Sequence, residues 1–226
     1  IQGAGATTPD ENYFNGLTDL AKEHDVLLIA DEIATFARTG TWLASDYFGI
    51  KPDMVTLGKG LSNGIAPISA MVMSSEIYKG LETYAQGTKD FGETLAWTPL
   101  LAKIGITLVD YIEKEGLLEN GPKQGEEIRE KLANHVDLLP IKVKGIGAIS
   151  RLEFNDVLSA HHMALQLLNQ GFLTYSTQES VYVEPTLVGS SVDYDELGEV
   201  IQKTFNVLSP RLEKLILRKK RLKNGK

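Results

Sequence analysis

Val26-Leu27-Leu28-Ile29-Ala30-Asp31-Glu32 and Met54-Val55-Thr56-Leu57-Gly58-Lys59-Gly60 decide how this chain is read. In each, a short apolar run ends in a polar residue able to do chemistry. Continuous apolar runs of four or five residues, Val26–Ala30 and Met54–Leu57, have the look of strands buried on both faces, as in a parallel sheet. Between them lie short polar segments and a Lys51-Pro52-Asp53 punctuation. Open α/β sheets bind ligands beyond the carboxyl ends of their strands. Asp31 and Lys59 stand at those ends, so a carboxylate and an amine are expected to converge where a cofactor can sit.

Pyridoxal phosphate chemistry needs that pair. A lysine amine bonds to the cofactor aldehyde, and an acid keeps the pyridine nitrogen protonated so that the ring accepts electrons. The glycines beside Lys59 allow close backbone approach and unusual dihedral angles. Two other readings compete. An apolar strand ending Asp-Glu also holds magnesium in many P-loop ATPases, but that requires G-x-x-x-x-G-K-[ST]. Here position 53 is Asp and Lys59 is followed by Gly60, so the chain contains no such loop. A lysine between glycines is also, in most proteins, a surface lysine in a loop.

Composition narrows the classes. The 226 residues suffice for one large or two small domains, and 42% hydrophobic with 23% charged residues is an ordinary globular balance. No cysteine is present, which excludes disulfides, thiolate metal sites and cysteine nucleophiles and fits a cytoplasmic protein. No apolar run approaches the roughly 20 residues that span a bilayer. Ile1-Gln2-Gly3-Ala4-Gly5 has no charged leader, so neither a membrane anchor nor a signal peptide is expected. The chain does not open on methionine and reads as a portion of a longer protein. The net charge of −7 is uneven: residues 211–226 hold eight basic residues and one acid, giving +7 and leaving −14 for the rest. A solvated helix end explains such a tail better than nucleic-acid binding. His161 and His162 are adjacent and so point about 100° apart on a helix. With no i, i+4 pair, no metal site is expected. Trp42 and Trp97 are isolated and read as packing residues.

Along the chain, Pro9-Asp10-Glu11 opens a helix carrying Phe14, Leu17, Leu20 and Ala21. Thr41–Phe48 reads as a short helix or turn and Ile68–Met73 as a third strand. Gly87–Gly92 reads as a loop. A long helix is expected from Leu95 to about Leu118, broken by Gly121-Pro122, with a second helix to about Val136. Strands at Ile141–Val143 and Ala148–Phe154, a helix over about Ser159–Asn169, and strands at Phe172–Tyr175 and Val181–Val183 follow. Asp193 is expected to cap a final helix bearing Leu197, Val200, Ile201 and Phe205.

Asp31-Glu32-Ile33-Ala34-Thr35, Arg38-Thr39-Gly40, Pro52-Asp53 and Leu57-Gly58-Lys59-Gly60-Leu61 together resemble the class III pyridoxal-phosphate aminotransferases, whose pattern is D-E-[VI]-x-T-G-F-G-R-T-G, a Pro-Asp, then a lysine in a glycine-rich loop. Gly87-Thr88, Phe91-Gly92-Glu93-Thr94-Leu95-Ala96 and Asp46-Tyr47-Phe48-Gly49 are similar to the glutamate-semialdehyde aminomutase branch, and the first piece to diaminopelargonate-type aminotransferases. The resemblance implies a fold-type I α/β architecture: part of a large domain with a mostly parallel sheet, a long connecting helix and a small α+β C-terminal domain. The division is placed at 1–113, for the cofactor-binding part and connecting helix, and 114–226, for the small domain with its basic tail.

The resemblance implies that Lys59 is the catalytic lysine, bonded to pyridoxal 5'-phosphate and moving protons. It implies that Asp31 pairs with the pyridinium nitrogen and that Ile33 packs on the ring. Thr88 would reach the phosphate of the partner subunit's cofactor, in a homodimer with shared sites. Glu32 is expected to organise the neighbouring loop. The substrates implied are a small-molecule amine donor and a carbonyl acceptor, with no nucleic acid or membrane partner. An aminomutase, or a non-catalytic interaction module that kept the fold, are the alternatives. The family's G-F-G-R stands here one residue short, as Phe36-Ala37-Arg38, and Lys89-Asp90 look inserted. No arginine precedes Glu184-Pro185-Thr186-Leu187, where many members place one for a substrate carboxylate. The isolated portion is expected to hold the cofactor weakly.

Overall fold

The computed structural model describes residues 8–84, 96, 98–137, 139–188 and 194–207. Two compact units divide between Asn120 and Gly121.

The first unit opens on α1 (Glu11–Glu23), capped where the sequence indicates: Asp10 Oδ1 accepts the Tyr13 N–H at 2.9 Å. Strand β1 (Ile29–Asp31), α2 (Ala44–Tyr47), β2 (Met54–Leu57), a single 3₁₀ turn over Lys59–Leu61 and β3 (Ala70–Met73) follow. Helices α3 (Ser75–Tyr84) and α4 (Pro99–Lys114) complete its regular structure, with the start of α5 (Leu117–Val136). The sheet order is β1-β2-β3, with β1 and β2 parallel in the register Asp31↔Thr56. β2 and β3 are antiparallel. The connection from β2 to β3 holds only the 3₁₀ turn, without the crossover helix that returns a chain to a parallel position.

Two expectations need correcting here. The strand expected at Val26–Ala30 is shorter and shifted, and it is bare: Val26 is 59% and Ile29 58% exposed. A run apolar on both faces is stable only with layers on both faces, and the described residues do not supply them. The helix break also falls elsewhere. Gly121-Pro122 lies inside α5, while the chain turns at Gly116, in the left-handed region at φ +62°. Gly121 answers a packing demand instead: a Cβ there would lie 2.6 Å from Leu187 Cδ2.

The second unit is a two-layer α+β body. Strands β4 (Lys142–Ile146), β5 (Ile149–Glu153), β6 (Tyr175–Thr177) and β7 (Ser180–Val183) form an antiparallel sheet in the order β4-β5-β7-β6. Side chains alternate across a sheet, so the register pair Leu152↔Val181 presents both residues to the same face. Both are fully buried there against Ile128 and Leu132 of α5, Met163 and Leu167 of α6 (Val157–Asn169), and Leu197 and Ile201 of α7 (residues 194–207). Asp156 caps α6 by accepting the Ser159 N–H at 3.0 Å. The cap proposed at Asp193 lies outside the described residues. On the other face, Arg151 pairs with Glu153 at 2.9 Å and donates to Ser180 at 3.1 Å, an ion pair seated in the sheet.

Candidate active site

The parallel register sets the site. With Asp31 opposite Thr56, the ends of β1 and β2 are level, and Lys59 follows two residues beyond β2. Asp31 is exposed, and its Oδ1 accepts the Ile33 N–H at 3.1 Å and the Thr56 hydroxyl at 3.3 Å. Both bonds fall on one carboxylate oxygen, so among the described residues Oδ2 remains open to an N–H donor.

Lys59 is exposed and adopts φ +34°, a left-handed conformation uncommon for a residue with a side chain. Backbone outliers of this kind concentrate at functional sites. Its neighbours explain how the loop is held. A Cβ on Gly60 would lie 3.2 Å from the Phe36 carbonyl oxygen, and one on Gly58 would lie 3.4 Å from Ile33 Cγ2. The loop after β1 therefore packs directly against both glycines flanking the lysine. Asp31, Ile33 and Lys59 thus share one edge of the first unit: an acid, an apolar side chain and an amine. Thr88 lies outside the described residues.

These groups fit the ring end of pyridoxal phosphate. Asp31 offers a carboxylate for a protonated ring nitrogen, Ile33 an apolar surface for a flat ring, and Lys59 an exposed amine for an aldehyde. Thr56 was missed in the sequence; the parallel pairing of two strands ending in Asp31 and Leu57 was the signal that could have found it.

The shortened Phe36-Ala37-Arg38 segment closes without a second glycine. Ala37 takes φ +59° and its N–H donates to the Trp42 carbonyl at 2.9 Å. Beneath the site, Glu32 is 3% exposed and accepts the N–H groups of Ala44 (2.9 Å) and Ser45 (2.7 Å), with a further bond from the Thr35 hydroxyl. Among the described residues no group of three or more His, Asp or Glu side chains is placed to hold a metal ion. No helix among them is long and apolar enough to cross a membrane.

Residues 1–205 match the family model for "Aminotransferase class-III". The chain is 35% identical over 210 residues to the mitochondrial ornithine aminotransferase of Rattus norvegicus, covering 91% of this chain and 47% of that protein. A solved ornithine delta-aminotransferase of Plasmodium falciparum superposes with a TM-score of 0.81 at 31% identity, over 93% of this chain and 56% of that one. An omega transaminase from Pseudomonas jessenii, in complex with PMP, shares the fold with a TM-score of 0.86 at 24% identity, over 93% and 51% of the two chains. The chain spans about half the length of the curated relatives it matches.

Proposed function

Since the chain belongs to the class III aminotransferases, we propose that it carries the lysine-bearing part of an enzyme that moves an amino group from an amine donor to a carbonyl acceptor with pyridoxal 5'-phosphate. The observation that carries this reading is the level ending of β1 and β2, which places Asp31 and Lys59 on one edge. When bound, the cofactor supplies an electron sink for the carbon that bears the amine. Lys59 Nζ would hold the cofactor through its aldehyde, with loss of water; once the incoming substrate amine displaces it, the freed Lys59 amine would take the proton from the amine-bearing carbon and give it back across the transferred nitrogen. The Asp31 carboxylate, oriented by the Thr56 hydroxyl and the Ile33 amide, would accept a hydrogen bond from the protonated ring nitrogen. Ile33 would cover one ring face and exclude water there. Thr88 is assigned to the phosphate.

The relatives reported above are aminotransferases, which favours exchange between two molecules over isomerisation within one. Two of them are named for ornithine, so ornithine is the first donor to assay. A homodimer with shared sites goes with this reading, as does the division into residues 1–113 and 114–226. The cysteine-free composition supports a reducing compartment, and we place the protein in the cytoplasm; a relative that is mitochondrial by name makes fractionation the deciding measurement.

The test is borohydride reduction of the full-length protein with pyridoxal phosphate, followed by mass spectrometry. A reduced adduct on the Lys59 peptide, with transfer from an amine donor to a keto acid, is the expected result. No adduct on Lys59 overturns the reading. Retained partner binding without turnover would point to the non-catalytic module instead.

A further inference from the structure

We propose that Glu32 is the positioning residue of this site, setting Asp31 and Lys59 through the loop it fastens. The inference rests on the proposed function. Asp31 and Glu32 are consecutive at the end of an extended strand, so their side chains leave on opposite faces. Asp31 is exposed, whereas Glu32 is buried.

A buried carboxylate is costly unless hydrogen bonds compensate it. Among the described residues, those of Glu32 come from three neutral donors: the Ala44 and Ser45 amides, which begin α2, and the Thr35 hydroxyl. Leu43, the residue that caps α2, provides no side-chain bond, so the cap comes from Glu32, twelve and thirteen residues away in sequence. The Glu32 carbonyl also accepts the N–H groups of Thr35 (3.2 Å) and Phe36 (3.0 Å). One residue therefore ties both ends of the 33–43 loop.

That loop is the wall on which the lysine segment rests. Ile33 lies against Gly58, and the Phe36 carbonyl sits over Gly60. The Ile33 amide holds Asp31 Oδ1. Releasing Glu32 thus frees the contact on each side of Lys59 and the bond that orients Asp31. Glutamine cannot replace the carboxylate, because its NH₂ would face a backbone N–H where an acceptor is needed.

The test uses full-length protein and three variants. Glu32→Gln is expected to raise the pyridoxal phosphate dissociation constant by about tenfold or more, the usual loss when a supporting partner of a site goes. Borohydride trapping at Lys59 should slow with it. The control is Asp53→Asn. Asp53 Oδ2 accepts the Leu28 N–H at 2.7 Å, a similar carboxylate-to-backbone tie at the opposite end of β1. With a comparable drop in urea midpoint, it should leave both readouts within about twofold. Equal shifts in the two variants mean that Glu32 only stabilises the fold, and overturn the proposal, as does a Glu32→Gln protein within about twofold of the parent. If Glu32→Gln does not fold, Thr35→Val decides by the same comparison, since it removes one of the three bonds and keeps the charge. Absence of trapping at Lys59 in the unsubstituted protein is a separate result, and it sinks the aminotransferase reading along with this one.

Discussion

The two units of this chain bury their apolar residues very differently. In the second, Ile128, Leu132, Leu152, Leu167, Val181 and Ile201 are all fully buried in one cluster between a four-stranded sheet and three helices. In the first, the outer strands of the sheet that holds the proposed site are bare: Ile29 of β1 and Met71 and Val72 of β3 are exposed large apolar residues, as are Val26 and Leu27 just before β1. Its buried apolar residues lie instead under the loop after β1, at Phe36, Ala37 and Ala44, along β2 at Val55 and Leu57, and at Leu61, Ile112 and Leu117. The second unit has a core of its own. The first keeps its order around the active-site edge through hydrogen bonds and close backbone contacts, with apolar faces that call for cover. The larger buried core and the proposed site thus fall in different units.

Substitutions should separate the two. The largest effect is expected from Lys59→Ala, which should cut turnover of the full-length enzyme by about a thousandfold or more while leaving the urea midpoint unchanged. A loss of stability instead would break the contrast. Next, Leu152→Ala should destabilise the second unit by about 3 kcal/mol, the cost of a cavity in a closed core. Ile29→Ala in the isolated chain should change stability by less than about 0.5 kcal/mol, as at other exposed positions. Chemical denaturation of both variants checks the pair, and equal costs would mean that the first unit is as well packed as the second.

Glu153→Gln is expected to cost about 2 kcal/mol, since it strips a charged partner from the Arg151 guanidinium within the sheet. The Lys144 ammonium first, and then the charges of Arg151 and Lys142, hold the Glu153 carboxyl below the usual carboxylate range. A depressed acid contributes stability that is present above its unfolded pKa of about 4.3 and is lost as pH falls through the lower folded value. The parent should therefore lose stability on that acid limb, and Glu153→Gln should lose less. A smaller effect than that of Glu153→Gln is expected at Gly198. A Cβ there would fall 2.3 Å from His135 Cδ2 and 3.0 Å from its Cβ, so the ring cannot simply swing aside. Overpacking of about 2 kcal/mol outweighs the helix-propensity gain of about 1 kcal/mol, and Gly198→Ala should be less stable by about 1 kcal/mol in a thermal melt.

How much of this was legible in the sequence varied with the range of the interaction. Helix α1 was readable because its signals are local: an Asp10 cap and apolar residues at spacings of three and four. The Asp31 and Lys59 pair was readable because each ends a short apolar run and two apolar runs form neighbouring strands. The helix break was misplaced because Gly-Pro is a strong local breaker, whereas tertiary contact with Leu187 gives Gly121 another reason to be glycine. The antiparallel turn of β3 was hidden as well, since strand direction depends on whether the connection crosses the sheet, and an apolar run carries no arrow.

Family membership, the acid and amine at the strand ends, and the α+β character of the C-terminal unit all follow from residue order, since local patterns carry them. Three-dimensional pairing was needed to show that Thr56 orients Asp31, that Ile33 and Phe36 press on the glycines around Lys59, and that Glu32 caps a helix twelve residues away. Those contacts join residues distant in sequence through strand register and loop closure. A buried hydrogen bond depends on both partners arriving together, which no single stretch of chain specifies.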